Sequence, residues 1–240
     1  MSRITGVIGA MDIEVEVIRA AMEITEEKII SGIPFVTGTL SGCPVILARC
    51  GIGKVNAAVC AQIMVSVFGV DAILNTGVAG AVAHGIRQGD IVVASRFVQH
   101  DVDTSPIGDP VGFVSTVNRL YFEADGEMSA RLQAAVGDKA RTRIGTIATG
   151  DQFVADRRVT EKLRTLFDAT ACDMEGGAIA QVCTLADIPF AAVRCISDSA
   201  DEQATMDYPA FAAGAAEICA STVRTFFEGS NESERSDGGH

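Results

Sequence analysis

Residues 6–17 read GVIGAMDIEVEV, and this stretch indicates the fold class of the chain. The apolar run GVIGAM predicts a strand that ends in a glycine-containing turn, and the acidic-apolar pattern after it predicts a helix. At such a turn, nucleotide-binding α/β proteins often hold a phosphate with backbone N–H groups at the helix N-terminus. This chain places Asp12, Glu14 and Glu16 there instead, so the turn carries anions where an anion is expected to bind.

Short apolar runs continue to alternate with longer amphipathic runs along the rest of the chain. We predict strands at about 3–10, 35–40, 44–50, 71–76, 90–98, 143–149, 169–173 and 190–196. We predict helices at about 13–24, 54–68, 117–136, 156–167, 175–186 and 207–228. This alternation implies a mostly parallel central sheet that helices cover on both faces.

The helix predicted at 54–68 has the clearest pattern. Its residues Val55, Val59, Ile63 and Val67 recur every four positions, with Ala58 on the same face, as in an amphipathic helix. The polar, turn-rich segment 99–116 is predicted to be a long loop, and long ordered loops in compact domains are often functional.

Length and composition bound the class of protein. The 240 residues suffice for one large α/β domain, predicted over 1–228, and the apolar-poor segment 229–240 is predicted to be a disordered tail. The formal net charge is −12 and no cluster of Lys and Arg is visible, so a nucleic-acid partner is not expected. An acidic cytosolic enzyme is the favoured interpretation.

Seven cysteines are spaced widely, and most lie inside apolar runs, at positions 43, 50, 60, 172, 183, 195 and 219. They form no C-x-x-C pair, which argues against a zinc knuckle or a redox motif, and buried reduced thiols imply a reducing compartment. The N-terminus lacks a signal-peptide pattern and no apolar run reaches spanning length, so we expect a cytoplasmic protein without a membrane segment.

Three acidic residues, Glu14, Glu175 and Asp198, each follow a predicted strand. Ligands of open α/β sheets bind outside the carboxyl ends of the strands, so three parallel strands would bring these acids to one rim. Asp12 and Glu16 are better explained as acids that complement the helix N-terminus. For Glu14, this explanation and a functional role are about equally supported. For Glu175 a functional role is favoured, because Gly176 and Gly177 follow it and permit close approach of a ligand. Asp198 alone could be a turn residue, and its case for function rests on the joint pattern.

A cluster of carboxylates suits acid-base chemistry. Burial and like charges raise some carboxyl pKa values, so one acid can donate a proton while another stays ionised as a base. Metal binding is the competing use, but the chain has no D-x-D-x-D loop to supply further oxygen ligands, and we rank it lower.

Other motifs support a ligand site without identifying it. The GIGKVNAA motif at 51–58 departs from the P-loop pattern, because Lys54 is followed by Val55, and its glycines are explained by a tight turn. Glycines in NTGVAGAV, at 75–82, allow backbone to approach a bound group. Phe153 offers a stacking surface, with an ordinary core position as the alternative. Arg194, inside an apolar strand, requires a carboxylate or a ligand hydroxyl as partner. His100 and Asp101 open the long loop, where a structural role is favoured.

Eight motifs occur in the order found in bacterial 5′-methylthioadenosine/S-adenosylhomocysteine nucleosidases of the purine nucleoside phosphorylase superfamily: GAMDIEVE, GIGKVNAA, NTGVAGA, GDIVV, HDVD, GDQFV, DMEGGAIA and VRCISDSAD. The resemblance covers about 4–227. It implies a single-domain α/β fold, with a twisted, barrel-like mixed sheet flanked by helices, and a homodimer. The implied reaction is hydrolysis of an N-glycosidic bond, which releases adenine and a 5-thio-substituted ribose without a metal or an organic cofactor.

The resemblance also implies roles for individual residues. Glu14 would activate the attacking water, Asp198 would protonate the purine at N7, and Glu175 would hold the ribose hydroxyls. The other residues implied to bind substrate are Ser197, which would orient Asp198; Met174 and Arg194 near the ribose and the water; Phe153, stacked on adenine; the Val154 backbone at the adenine edge; Tyr208 near the sugar, where the family commonly has Phe; and Val78, Ala79 and Gly80 of the NTGVAGA motif.

The sequence departs from the family in two places. Val78 stands where Ser is common, so that a polar contact is either lost or made by backbone, and the loop around 102–124 differs in the region that helps shape the 5′-substituent pocket. The alternatives are therefore a nucleosidase for aminodeoxyfutalosine, a phosphorolytic purine nucleoside phosphorylase, or a non-catalytic nucleoside-binding protein. The presence of all three acids argues against the last.

Overall fold

The computed structural model describes residues 3–201 and 204–237, without the side chains at 205–207, 209–210 and 230–237. Its strands are β1 (Thr5–Gly9), β2 (Glu23–Ile30), β3 (Ile33–Leu40), β4 (Cys43–Arg49), β5 (Ala72–Ala81), β6 (Ile91–Gln99), β7 (Phe122–Glu123), β8 (Thr142–Thr149), β9 (Ala169–Asp173) and β10 (Phe190–Asp198). Its helices are α1 (Asp12–Ala20), α2 (Lys54–Ser66), α3 (Gly126–Val136), α4 (Arg157–Phe167), α5 (Gly176–Ala186) and α6 (Ala204–Asp237).

The sheet closes on itself at one end. Strands β10, β6, β8, β9 and β5 are neighbours in that order, and β10 pairs with β5 to complete a five-stranded barrel. From β5 the sheet continues through β1 and β4 to the antiparallel strands β3 and β2. The twisted, barrel-like mixed sheet implied by the resemblance is therefore confirmed, and the expectation of a mostly parallel sheet is wrong.

The parallel pairs of the described sheet are β1–β4, β1–β5, β5–β10, β6–β8 and β8–β9, and as many pairs are antiparallel. The antiparallel pairs are β2–β3 and β3–β4 in the hairpins, β6–β10 and β5–β9 in the barrel, and the short β6–β7 pair. The alternation of strands and helices along the chain contains no information about the two barrel pairs, because each joins strands that are distant in sequence.

Two predicted helices extend too far in sequence. The helix predicted at 13–24 ends at Ala20, and β2 begins at Glu23 as an exposed edge strand joined to β3 through Ser31 and Gly32, both with positive φ. Its sequence EITEEKII is charged because its side chains face solvent, so no apolar run marked it as a strand. The helix predicted at 117–136 begins at Gly126, where the Asp125 side chain accepts a hydrogen bond from Met128 N–H as N-cap.

Helix α2 forms where it was predicted, but the face picked out by its valines is not the buried one. Val55 and Val67 are exposed, whereas Ala57, Cys60, Ala61 and Met64 are fully buried. These four side chains belong to the core cluster that also includes residues of α5 and of the sheet. The apolar valine face of α2 is thus left on the surface.

Alternate residues of the sheet face two layers of helices. Ile8, Ile46 and Ile73 belong to the core cluster that includes α2 and α5, and Val7, Leu47 and Leu74 belong to the cluster that includes α1, α3 and α6.

Helix α6 continues to Asp237, into the segment predicted as a tail, and 238–240 lie outside the described residues. The domain boundary at residue 228 stays a prediction. In the described part of the chain, no helix has the length and apolar character needed to cross a membrane.

Candidate active site

One cavity brings together the three acids that follow predicted strands. Glu14, Glu175 and Asp198 all line it, together with Ala10, Met11, Ile52, Val78, Ala79, Gly80, Gln152, Phe153, Val154, Cys172, Asp173, Met174, Ser197 and Tyr208. Glu14 and Asp198 reach it from β1 and β10, which both lie parallel to β5. Glu175 follows β9, which pairs antiparallel with the C-terminal end of β5. The carboxyl end of β9 therefore points back along β5 toward Gly77, and this brings Glu175 to the same cavity.

The Glu14 carboxylate fills the turn between β1 and α1. Its Oε2 accepts hydrogen bonds from the N–H groups of Ala10, at 2.7 Å, and Met11, at 3.0 Å, and its Oε1 accepts one from Val78 N–H at 3.0 Å. The side chain belongs to the third residue of α1 and is only 4% exposed. The backbone donors that would bind an external anion at this turn are therefore taken by the chain's own carboxylate.

Glycines leave room for that carboxylate. A Cβ at Gly77 would collide with Oε1 of Glu14 and would lie 2.9 Å from its Cδ, and a Cβ at Gly9 would lie 3.1 Å from the Glu14 Cβ. Burial raises the pKa of Glu14 above its ordinary value, and the Arg194 charge and the three backbone N–H groups oppose part of this rise. Such a carboxylate stays available as a base but binds a proton more readily than one in water.

Glu175 occupies a second glycine-containing turn, which joins β4 to α2. Its Oε1 accepts a hydrogen bond from Gly53 N–H at 2.9 Å, and Gly53 has φ +98°, a backbone conformation that favours glycine. Burial, followed by the charge of Asp173, raises the pKa of Glu175 to about 7. Near neutral pH this carboxyl group therefore exchanges its proton easily and can either accept or donate a hydrogen bond to a ligand hydroxyl.

Asp198 lies at the end of β10 and is oriented by its immediate neighbours. Ser197 Oγ donates to Oδ2 at 2.8 Å, and Ala200 N–H donates to Oδ1 at 2.9 Å. A Cβ at Gly80 would lie 3.0 Å from Oδ1, so the glycine of strand β5 lets this carboxyl group approach the sheet. The three acids are thus held at three different places on the cavity wall.

A buried ion pair supports the cavity from inside the protein. Arg194 is 1% exposed and donates to Asp173 Oδ2 from Nε at 3.1 Å and from Nη2 at 2.7 Å, and it also donates to Asn75 Oδ1. Asp173 accepts further bonds from Thr149 Oγ1 at 2.5 Å and from Gly176 N–H at 3.1 Å. Arg194 is not among the cavity-lining residues, so it acts on Glu14 and Glu175 through its charge.

Two aromatic side chains meet across the cavity lining. The Phe153 and Tyr208 rings form an edge-to-face pair with centroids 5.6 Å apart, and Tyr208 Oη lies 3.0 Å from Met11 Sδ. Phe153 is half-exposed, which leaves a ring face accessible to a flat ligand. Among the described residues, no group of three or more His, Cys, Asp or Glu side chains is placed to hold a metal ion.

Comparison with known proteins identifies the family of the chain. Residues 4–228 match the phosphorylase superfamily. The sequence is 39% identical to the 5′-methylthioadenosine/S-adenosylhomocysteine nucleosidase of Geobacillus thermodenitrificans over 90% of this chain and 93% of the relative. The chain belongs to this nucleosidase family.

Solved structures place the chain in the same fold. The Neisseria meningitidis nucleosidase in complex with methylthio-immucillin-A aligns with a TM-score of 0.91 and 34% identity, over 95% of this chain and 99% of that chain. The futalosine hydrolase of Helicobacter pylori aligns almost as well, with a TM-score of 0.90 and 33% identity, over 94% of this chain and 97% of that chain. The fold is therefore common to a methylthioadenosine/S-adenosylhomocysteine nucleosidase and a futalosine hydrolase.

In this nucleosidase-family chain, all the site residues predicted from the sequence except Arg194 line the cavity. Val78 N–H donates to Glu14, and its contact near the water or the ribose stays a prediction. Sequence reasoning missed Asp173, which neighbours Met174 in the DMEGG motif, and Ile52, which lies between the two glycines of GIGK. The sequence held one signal for Asp173: Arg194, inside an apolar strand, requires a partner, and Asp173 is the carboxylate that pairs with it.

Proposed function

We propose that this chain hydrolyses the N-glycosidic bond of 5′-methylthioadenosine and S-adenosylhomocysteine, releasing adenine and the 5-thio-substituted ribose. The observation that carries the proposal is the Glu14 carboxylate, which occupies the backbone donors of the β1–α1 turn inside a cavity that also holds Glu175 and Asp198. Family membership supports it, since the relatives and the inhibitor-bound neighbour are nucleosidases of this specificity.

Each acid has a separate role in the proposed reaction. Glu14 takes a proton from the attacking water, which suits a carboxylate whose pKa burial raises. Asp198, oriented by Ser197, protonates the purine at N7 so that adenine leaves as a neutral base. Glu175 holds the ribose hydroxyls and stabilises the positive charge that develops on the sugar.

The remaining lining residues position the nucleoside. Phe153 stacks on adenine and the Val154 backbone binds its edge, while Met174, Tyr208 and residues 78–80 contact the sugar. Arg194 contributes by keeping Asp173 paired and by placing a positive charge near Glu14 and Glu175. The proposed reaction requires neither a metal nor an organic cofactor, because protons and charge are handled by the three acids.

Two other reactions are compatible with the fold. Cleavage of aminodeoxyfutalosine is the nearer alternative, since a futalosine hydrolase shares the fold and the substituent at the 5′ position is what distinguishes the substrates. Phosphorolysis is less favoured. The donors at the β1–α1 turn are occupied, and the Glu14 carboxylate would repel a phosphate placed beside it.

A substrate panel tests the proposal. Adenine release is measured with methylthioadenosine, S-adenosylhomocysteine, adenosine, inosine and aminodeoxyfutalosine, each with and without phosphate. We expect fastest release from the two thio-substituted nucleosides in phosphate-free buffer, and a preference for aminodeoxyfutalosine would move the assignment to the alternative. Asp198→Asn should lose turnover yet still bind methylthioadenosine, and unchanged turnover would remove Asp198 as the acid.

We also propose that the chain works as a homodimer. Val55 and Val67, at the two ends of α2, and Leu185, at the end of α5, are exposed apolar side chains, and α5 packs against α2. Exposed apolar side chains on neighbouring helices are typical of a subunit interface. Light scattering should give twice the chain mass, and Val55→Lys should shift the protein toward the monomer; a monomeric wild type would refute the proposal.

The proposed compartment is the cytoplasm. All seven cysteines are free thiols, six of them buried, and a reducing compartment keeps such thiols unpaired. Fractionation of cells that express the full chain tests this assignment, with activity expected in the cytoplasmic fraction.

A further inference from the structure

A closed ring of charged and backbone groups lies beside the cavity. Lys54 Nζ is 2.6 Å from Asp101 Oδ1, and their side chains are only 17% and 20% exposed. Asp101 Oδ2 accepts a hydrogen bond from Asp151 N–H at 2.9 Å, and Asp151 Oδ1 accepts one from Lys54 N–H at 2.7 Å. The ring joins the start of α2, the turn after β6 and the loop after β8.

Two of the three segments of the ring, those of Lys54 and Asp151, are adjacent to groups of the active site. Gly53, directly before Lys54, donates its N–H to Glu175. The loop that begins at Asp151 continues to Phe153 and Val154, which line the cavity. A Cβ at Gly53 would lie 3.0 Å from Asp151 Oδ1, so the two segments are in close contact. The ring therefore links the donor of the proposed ribose-binding carboxylate to the proposed adenine-binding loop.

We propose that Lys54, Asp101 and Asp151 are positioning residues that fix the distance between the ribose-binding carboxylate Glu175 and the adenine-binding loop at Phe153. The inference rests on the proposed function. Cleavage requires the adenine to be protonated while the ribose is held, so both halves of the nucleoside must be aligned in the transition state. Without the Lys54–Asp101 pair, only the bond from Lys54 N–H to Asp151 joins the Gly53 turn to the loop, and the spacing between the two segments is held less tightly.

The test compares variants of the ring with a matched surface pair. Asp101→Asn and Lys54→Met each remove the ion pair, Lys54→Arg retains the cation, and Glu27→Gln breaks the exposed Arg19–Glu27 pair as a control. With methylthioadenosine we expect Asp101→Asn and Lys54→Met to lower kcat about tenfold, within the ~100-fold that a misplacement of 1 Å can cause. KM should change less than threefold, and Lys54→Arg and Glu27→Gln should remain within twofold of wild type.

The double variant sharpens the result. Because both substitutions break one ring, Asp101→Asn combined with Lys54→Met should lower kcat no further than either change alone. An unchanged kcat in both single variants overturns the inference, as does an equal loss in Lys54→Arg. Thermal melting identifies a variant that does not fold. In that case Asp151→Ala, which breaks the ring from the loop side, takes its place in the test, with the same loss of kcat expected. A wild type inactive on methylthioadenosine would overturn the proposed function, whereas an active wild type with unaffected ring variants overturns this inference alone.

Discussion

The two glycine-containing turns of the active site, 9–11 after β1 and 51–54 after β4, are built alike and filled differently. Both present backbone N–H groups before a helix, as phosphate-binding turns do. In both, carboxylates of the chain itself take these groups: Glu14 in the first turn, and Glu175 with Asp151 in the second. Sites suited to anion binding have become sites that hold acidic side chains in fixed positions.

The difference lies in where the carboxylates come from. Glu14 is three and four residues from its donors Met11 and Ala10, whereas Glu175 is 122 residues from Gly53 and Asp151 is 97 residues from Lys54. In the first turn, two of the three donors to Glu14 are in place as soon as α1 forms, and only the Val78 N–H comes from a distant segment, strand β5. The second depends on the whole barrel, because β8, β9 and α2 must all be in place. We therefore expect changes in the first turn to act on the chemistry, and changes in the second to act on alignment and stability.

The largest expected effect is that of Glu14→Gln, which leaves the shape of the first turn but removes its base. Loss of general base catalysis lowers kcat by about 10²–10⁴-fold. Rapid-quench measurement of adenine release gives the rate, and Glu16→Gln, on the exposed side of the same helix, serves as control. Retention of more than a tenth of the wild-type rate would show that Glu14 is not the base.

A smaller effect is expected from Gly77→Ala, which displaces the carboxylate without removing it. The added Cβ collides with Glu14 Oε1 and separates it from Val78 N–H. We predict a loss of kcat of about 10- to 100-fold, the range that misplacement of a catalytic group produces. Gly126→Ala is the control, since a Cβ there meets no atom within 4 Å. Equal activity of the two variants would contradict the tight fit around Glu14.

In the second turn, Glu175→Gln is expected to stabilise the fold at alkaline pH. The folded-state pKa of Glu175 is raised from 4.5 to about 7, so the carboxyl group favours folding below pH 4.5 and loses that advantage as the pH rises through about 7. At ~1.4 kcal/mol per pKa unit, the neutral amide should gain up to about 3 kcal/mol at pH 8 and little at pH 4.5. Thermal melting at pH 8 and at pH 4.5 measures the stability gain, with the exposed Glu217→Gln as control. An equal shift in melting temperature at the two pH values would show that the gain does not come from the raised pKa of Glu175.

The smallest effect is expected from Val78→Ser, which restores the residue common in the family. The contact to Glu14 is made by the backbone N–H, which the substitution leaves in place. We therefore predict that kcat stays within threefold of wild type in the adenine-release assay. A gain of tenfold or more would mean that a side-chain hydroxyl contributes something that the backbone does not supply.

The contrast between the turns also explains what the sequence could predict. Glu14 and Asp198 could be singled out because each follows a predicted strand, and both strands run parallel to β5. Arg194 could be expected to need a partner, but Asp173 could not be named as that partner, and the Gly53–Glu175 bond was not expected, because both contacts join distant segments. Strand β2 was missed because its exposed edge needs no apolar side chains, and the α2 valines predicted a helix whose buried face consists of other residues, Ala57, Cys60, Ala61 and Met64.

The most direct test of the central claim is the source of the oxygen added to the sugar. Methylthioadenosine is cleaved in ¹⁸O-labelled water with increasing phosphate, and the sugar product is analysed by mass spectrometry. Because Glu14 occupies the donors of the first turn, we predict one ¹⁸O atom in every sugar product and a rate that phosphate does not change. A rate that rises with phosphate, with a sugar phosphate as product, would contradict the account.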